Sequence, residues 1–258
     1  MSSQLFDQII FGPVRSRRFG ISLGVNLLPV DAKVCSFDCV YCECGWTDHI
    51  SADSLPEADE VYDALKAKLK QMAAEGELPD VITFSGNGEP TMHPKFDIII
   101  DNTIDLRNQF APDADIVVLS NSTQLHKEKV KNALLKINKA VLKLDSTNET
   151  QFQRINKPAP GIQVENIMQG LLQFNGKANL QTLFLRGQTT EGLIDNTTKS
   201  EIDALIEFTE KMNPMEWMIY PIDRPTPAED LEKIQKNEMD EIAEYIRSKI
   251  NIPLKISY

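Results

Sequence analysis

The chain has 258 residues, enough for one α/β barrel or at most two domains, and a composition of 41% hydrophobic and 25% charged residues supports a sizeable core. It carries 27 Lys and Arg against 38 Asp and Glu, a formal charge of -11, which argues against general nucleic-acid binding, because that role draws on neutralising phosphates with basic side chains. No apolar run reaches the roughly 18 residues of a membrane span and the first residues lack a basic-then-apolar leader, so a cytoplasmic protein with no membrane partner is expected.

In chain order, the first feature is a concentrated basic patch, Arg15, Arg17 and Arg18. It reads either as a solvated turn pairing with surface carboxylates or as a clamp for an anionic substrate. A strand is expected over residues 21–27. A loop over residues 31–45 then holds all four cysteines, Cys35, Cys39, Cys42 and Cys44. A secreted disulfide framework spreads cysteines to close loops, whereas this clustering converges thiolates on one point and favours metal or cluster ligation in a reducing compartment.

Ser54-Leu55-Pro56-Glu57 reads as a capping box, followed by Ala58, Val61, Leu65, Leu69 and Met72 on one helical face. Further short apolar runs predict strands over residues 81–84, 116–119, 140–144, 180–185 and 217–220, with a possible last strand over 254–257. Ile202, Leu205, Ile206, Thr209 and Met212 predict a helix before the 217–220 strand. Leu231, Ile234, Ile242, Ile246 and Ile250 predict another before the last strand, within a C-terminal segment 228–258. Trp217, Met215 and Met218 read as core, and His49, His93 and His126 show no ligand spacing. With no linker or repeat, residues 1–258 read as one domain. Strand–helix alternation predicts a parallel sheet, with a partial (βα)6 TIM-like barrel preferred to a doubly wound sheet. The expected strand ends carry polar clusters: Ser85-Gly86-Asn87-Gly88-Glu89, Ser120-Asn121-Ser122, Asp145-Ser146, Arg186-Gly187 and Asp223-Arg224. In parallel α/β folds those ends build the site.

Cys35, Cys39 and Cys42 have the spacing C-x3-C-x2-C without a second knuckle for a zinc ribbon, and Cys44 reads as a bystander beside them. Three thiolates can hold three irons of a [4Fe–4S] cluster and leave the fourth open. With Tyr41 before the last cysteine, this segment resembles the signature of the radical S-adenosylmethionine superfamily, and Ser85-Gly86-Asn87-Gly88-Glu89-Pro90 resembles its GGEP motif. Phe11-Gly12-Pro13-Val14-Arg15-Ser16-Arg17-Arg18 and Asp223-Arg224-Pro225-Thr226-Pro227 extend the similarity to the short, single-cluster, wyosine-synthase-like group.

The resemblance implies that Cys35, Cys39 and Cys42 ligate one cluster, whose open iron takes the amino and carboxylate groups of S-adenosylmethionine. It places Tyr41, Gly88, Glu89, Ser120, Asn121 and Asp145 at that cofactor. Arg15, Arg17, Arg18, Arg186, Asp223 and Arg224 are the substrate candidates. It also implies an external electron donor of flavodoxin or ferredoxin type and a 5′-deoxyadenosyl radical that abstracts hydrogen from substrate. A small molecule or cofactor precursor is favoured as substrate, with tRNA as the alternative and an iron–sulfur electron carrier or redox sensor as the competing class. The tRNA-modifying relatives carry further N-terminal cysteines, which residues 1–34 lack.

Overall fold

In the computed structural model, which describes residues 5–16, 18–47 and 55–258, the apolar runs are strands of one sheet. β1 (Ile10–Ser16) and β2 (Gly20–Val25) form an antiparallel hairpin. β3 (Val81–Phe84), β4 (Asp115–Ser120), β5 (Lys139–Lys143), β6 (Asn179–Thr189), β8 (Trp217–Pro221) and β10 (Leu254–Ile256) continue from β2, each parallel to its neighbour. The strand order is β1-β2-β3-β4-β5-β6-β8-β10. The connections carry α1 (Ala58–Glu75), α2 (Phe96–Phe110), α3 (Glu128–Leu134), α4 (Glu149–Asn156), α5 (Val164–Leu172), α6 (Lys199–Met212) and α7 (Lys236–Arg247). Six strand–helix units followed by one last parallel strand make the partial barrel that the alternation predicts.

Period-two alternation divides each strand between two cores. Ile82, Val118, Leu142 and Ile219 belong to the large core shared with the helices, whereas Val81, Val117, Val141 and Met218 form a separate small cluster with Phe19 and Leu119. The small cluster plugs the inside of the curved sheet. One inward step further along β5 and β8 stand Lys143 and Tyr220, so the inner surface turns polar toward the strand ends.

Three expectations need correction. The helix predicted from Leu231 begins later: Leu231–Lys233 is a strand, β9, antiparallel to β6, and α7 starts after Gln235. Leu231 and Ile234 fit a helical spacing, but pairing with β6 satisfies that backbone instead. β6 accordingly runs past the parallel sheet and takes β7 (Gly192–Asp195) on its other side. At α1, Ser54 lies outside the described residues; the helix starts three residues later than the proposed box, with Glu57 as cap and its N–H donating to the Glu60 carboxylate at 2.8 Å. Trp217 is fully buried with its indole N–H on Thr182 at 2.9 Å, but Met215 is 51% exposed and is not core.

His93, behind the turn Pro90–Met92, is buried, with Nε2 on the Pro56 carbonyl at 2.9 Å and Nδ1 accepting from Lys95 N at 3.2 Å. The ring is therefore neutral with its proton on Nε2, and burial holds its pKa below the ordinary value of 6.5. As pH falls below that value, the unfolded chain takes a proton that the folded chain refuses, so stability is lost on the acid side. Urea unfolding between about pH 7 and pH 5 is expected to show a shallower stability loss for His93→Gln than for the unaltered chain; equal slopes would refute the assignment.

Candidate active site

The cysteine loop is tied down on two sides. Val34 pairs in parallel with Gly88: Val34 N donates to Asn87 O at 2.8 Å and Glu89 N to Val34 O at 3.0 Å. Gly88 has φ 138°, and a Cβ there would stand 1.9 Å from the Val34 carbonyl oxygen. Only glycine permits that approach. Across the loop, Asp38 N donates to Lys157 O and Val40 N to Ile155 O, both at 3.0 Å, and Ala159 N donates to Ser36 O at 2.9 Å. The loop thus spans from the end of β3 to the end of α4.

The sulfurs receive hydrogen bonds from this frame. Cys35 Sγ accepts from Phe37 N and Asn121 Nδ2, and Cys39 Sγ from Asn156 Nδ2, each at 3.4 Å. Burial pushes the Cys39 thiol up to about 11 and Cys35 well above its usual range. Cys42 is held down, to about 6, by the hydrogen bond from Cys44 and the field of Lys33, while Cys44 is pushed up correspondingly. Lys33 is 1% exposed, with Nζ on Asp38 at 3.1 Å and on Gly45 O at 2.9 Å. Burial opposes its charge, but the fields of Cys42, Cys35 and Cys39 outweigh it and raise its pKa.

Glu89 links this loop to the strand ends. It is 2% exposed; Oε1 accepts from Thr91 N at 3.0 Å, from the Thr91 hydroxyl and from Ser120 Oγ at 2.9 Å, and Oε2 accepts from Asn121 N at 2.6 Å. Burial raises the carboxyl's pKa despite these donors. Asn121 then donates through Nδ2 to Ser36 Oγ at 2.9 Å as well as to Cys35. Asn121 therefore acts on the cysteine loop from the end of β4, while Ser120 anchors the Glu89 carboxylate.

A second network lies under Cys39. Asp145 is 1% exposed; Oδ2 accepts from the Tyr41 hydroxyl and from Asn156 Nδ2 at 2.8 Å, and Oδ1 from Leu183 N at 2.9 Å. Burial and the Asp145 charge hold the Tyr41 hydroxyl protonated well above its ordinary pKa. Lys143 Nζ lies 3.7 Å from Asp145, donates to the Tyr220 hydroxyl at 3.0 Å and sits 4.5 Å from the Tyr41 ring centre. Burial disfavours this ammonium, but Asp145, Tyr220 and Cys39 raise its pKa.

Between these networks is a cavity of about 310 Å³ whose wall includes Tyr41, Cys42, Cys44, Gly86 and Tyr220. Of the sequence candidates, Arg18, Asp223 and Arg224 also line it. Arg224 Nη1 pairs with Glu43 at 2.6 Å, which ties the segment after β8 to the cysteine loop, and Lys233 Nζ with Asp223 at 3.3 Å, which ties it to β9. Gly88, Glu89, Ser120, Asn121 and Asp145 stand behind the wall as the tethers described above. Arg15 is exposed on β1, and Arg17 lies outside the described residues. Arg186 pairs with Glu238, and with Glu232 at 3.5 Å, and so joins β6 to β9 and α7 away from the cavity. Lys33, Lys143, Asn156 and Tyr220 were not singled out from sequence. Lys143 and Tyr220 carried a usable signal: each stands two residues beyond an inward apolar position, Val141 and Met218.

Among the described residues no three His, Cys, Asp or Glu side chains converge closely enough for one metal ion, yet the charges of Cys35, Cys39 and Cys42 reach one another and Lys33. A polynuclear cluster, with each thiolate on a different iron, asks for that looser grouping. N–H donors on the sulfurs and a buried ammonium among them suit its negative charge. The residues fit the group.

A family model described as the radical SAM superfamily matches residues 31–208. UPF0026 protein slr1464 of Synechocystis sp. is 34% identical over 230 residues, 85% of this chain and 77% of that protein. Among solved structures, Streptococcus suis SuiB bound to S-adenosylmethionine matches with a TM-score of 0.64 at 14% identity, over 90% of this chain and 50% of SuiB. A radical SAM methyltransferase from Sphaerobacter thermophilus matches with a TM-score of 0.66 at 13% identity, over 92% of this chain and 66% of that protein. The chain thus spans half the length of SuiB and just under two thirds of the methyltransferase, and at these identities the likeness is one of fold.

Proposed function

Because the chain belongs to the radical SAM superfamily, we propose that it reductively cleaves S-adenosylmethionine at one [4Fe–4S] cluster and acts on a small molecule or cofactor precursor. When bound, cluster and S-adenosylmethionine together supply a 5′-deoxyadenosyl radical that takes a hydrogen atom from the substrate. In this reading Cys35, Cys39 and Cys42 hold three irons. Lys33 offsets the thiolate charge, and Asn121 and Asn156 orient Cys35 and Cys39 through their N–H···S contacts. Gly86 and Tyr41 face the cofactor from the cavity wall. Gly88, Glu89, Ser120 and Asp145 hold that wall in register. An external flavodoxin- or ferredoxin-type protein delivers the electron.

The observation that carries the proposal is three thiols on one tethered loop around a buried lysine, with Cys42 opening onto a cavity at the strand ends. A small substrate is supported by that cavity's size and by the chain's net charge of -11. Anaerobic reconstitution with iron and sulfide, followed by reduction with dithionite in the presence of S-adenosylmethionine, is expected to yield 5′-deoxyadenosine. Tightly held zinc with no cluster would overturn the reading, and a cluster that never yields 5′-deoxyadenosine would point to an electron carrier. A salt-sensitive shift of tRNA would move the substrate class to RNA.

A further inference from the structure

Arg18 differs from the other charged groups on the cavity wall. Arg224 and Asp223 are committed to ion pairs with Glu43 and Lys233, but no described carboxylate pairs with the Arg18 guanidinium, although acidic residues outnumber basic ones 38 to 27. The group lies instead over two aromatic rings. Its guanidinium carbon sits 5.1 Å from the Tyr220 ring centre and 5.8 Å from that of Phe19. Its backbone is held at both ends, N–H on Ser16 Oγ at 3.2 Å and carbonyl accepting from Lys255 Nζ at 2.7 Å. An arginine over ring faces keeps its N–H edges available to an anion.

Tyr220 adds a second donor. Its oxygen accepts from Lys143 Nζ at 3.0 Å, which leaves its own O–H free to donate, and Lys143 lies 5.5 Å from the same ring centre. Two cations therefore flank one aromatic ring on the wall of the cavity that also holds Cys42 and Gly86. In strand order Cys42 and Gly86 follow β2 and β3, whereas Tyr220 lies on β8 and Ser257, also on the wall, follows β10. Tyr220 thus belongs to the opposite end of the strand order from the thiols, and Arg18, in the turn between β1 and β2, meets it from the other margin.

We propose that Arg18 and Tyr220, backed by Lys143, form an anion subsite that takes a carboxylate or phosphate group of the substrate. The inference rests on the reading that this cavity is the reaction chamber. It assigns the substrate a class, an anionic small molecule, whose charged group is held on the Tyr220 side of the cavity wall.

The test uses the reconstituted, S-adenosylmethionine-loaded protein titrated calorimetrically under anaerobic conditions with inorganic phosphate and, separately, with acetate. Cluster absorbance and S-adenosylmethionine affinity are measured first, so a failure of the underlying activity assignment appears before any anion is added. At least one anion is expected to bind, to weaken at least about tenfold in Arg18→Gln and to be partly restored in Arg18→Lys, with Tyr220→Phe giving a smaller loss. Preference for phosphate or acetate tells which acid the substrate carries. The proposal is overturned if neither anion binds the unaltered protein, or if Arg18→Gln binds both as well as the parent. It is also overturned if that variant instead loses S-adenosylmethionine, which would make Arg18 a contact for the cofactor's own carboxylate.

Discussion

Replacing Cys39 with alanine is expected to abolish cluster assembly, leaving iron content and 5′-deoxyadenosine formation at the level of the metal-free chain. Cys39 is the most informative of the three thiols because its surroundings survive the change. The backbone on either side is held by Asp38 N on Lys157 O and Val40 N on Ile155 O, bonds that ignore the side chain. Asn156, which donates to the sulfur, also donates to Asp145 at 2.8 Å, so it is not orphaned. The substitution deletes one small, 8% exposed side chain and should leave the melting temperature nearly unchanged. Iron content and electron paramagnetic resonance of the reduced sample then report ligation alone. Cys44→Ser, beside Cys42 but outside the proposed ligand set, is expected to keep its cluster. Retained cleavage in Cys39→Ala would remove Cys39 from the ligand set.

Glu89→Ala is expected to fail differently. The alanine leaves the N–H groups of Thr91 and Asn121 and the hydroxyls of Thr91 and Ser120 without their acceptor in a buried space. Each stranded donor costs on the order of 1–3 kcal/mol, partly offset by relief of the desolvated carboxylate, for a net loss of about 3 kcal/mol. In a chain of this size that corresponds to a melting temperature lower by about 6–12 °C. Cluster loading should fall as well, because Asn121, whose backbone Glu89 holds, is the side chain that donates to Cys35. Glu89→Gln keeps one acceptor but turns an amide N–H₂ against donors on the other side, so an intermediate loss is expected. Calorimetry and iron analysis on both variants decide between routes. A stable, fully loaded Glu89→Ala that binds S-adenosylmethionine weakly would mean that the carboxylate touches the cofactor rather than its frame.

The strands most legible from sequence are those covered on both sides. Residues 81–84 were read with the observed boundaries because every side chain of Val81–Phe84 is buried, leaving an unbroken apolar run as the signal. β1 gave no such signal: Ile10–Ser16 is a half-exposed hairpin arm with Gly12 and Pro13 in its middle. β9 was lost because Leu231 and Ile234 stand three apart, a spacing a helix would also produce, and only pairing with the overlong β6 decides between them. The cysteine spacing pointed to the loop, and the polar strand ends to the residues around it. Which of those residues face the cavity was not legible. Glu89 and Asn121 read as cofactor contacts by position, but their direction depends on Val34 closing against Gly88, a contact between segments more than fifty residues apart. Lys143 sits inside the run that reads as a strand over residues 140–144, and only its place two beyond the inward Val141 marks the side it faces.

An incomplete barrel has margins that a closed one lacks. Among the described residues β1 pairs only with β2, and β10 only with β8, so within that set each presents a backbone edge to which another chain could add, the route by which sheets aggregate. Both margins are poor templates for such growth. β1 breaks register between Phe11 and Val14, carries Pro13, which has no N–H to offer, and exposes the charge of Arg15. β10 is three residues long, and its central Lys255 reaches toward the hairpin turn at Arg18. Arg15 thereby acquires a role unconnected with substrate: on an exposed edge strand, its charge discourages polymerisation of the sheet.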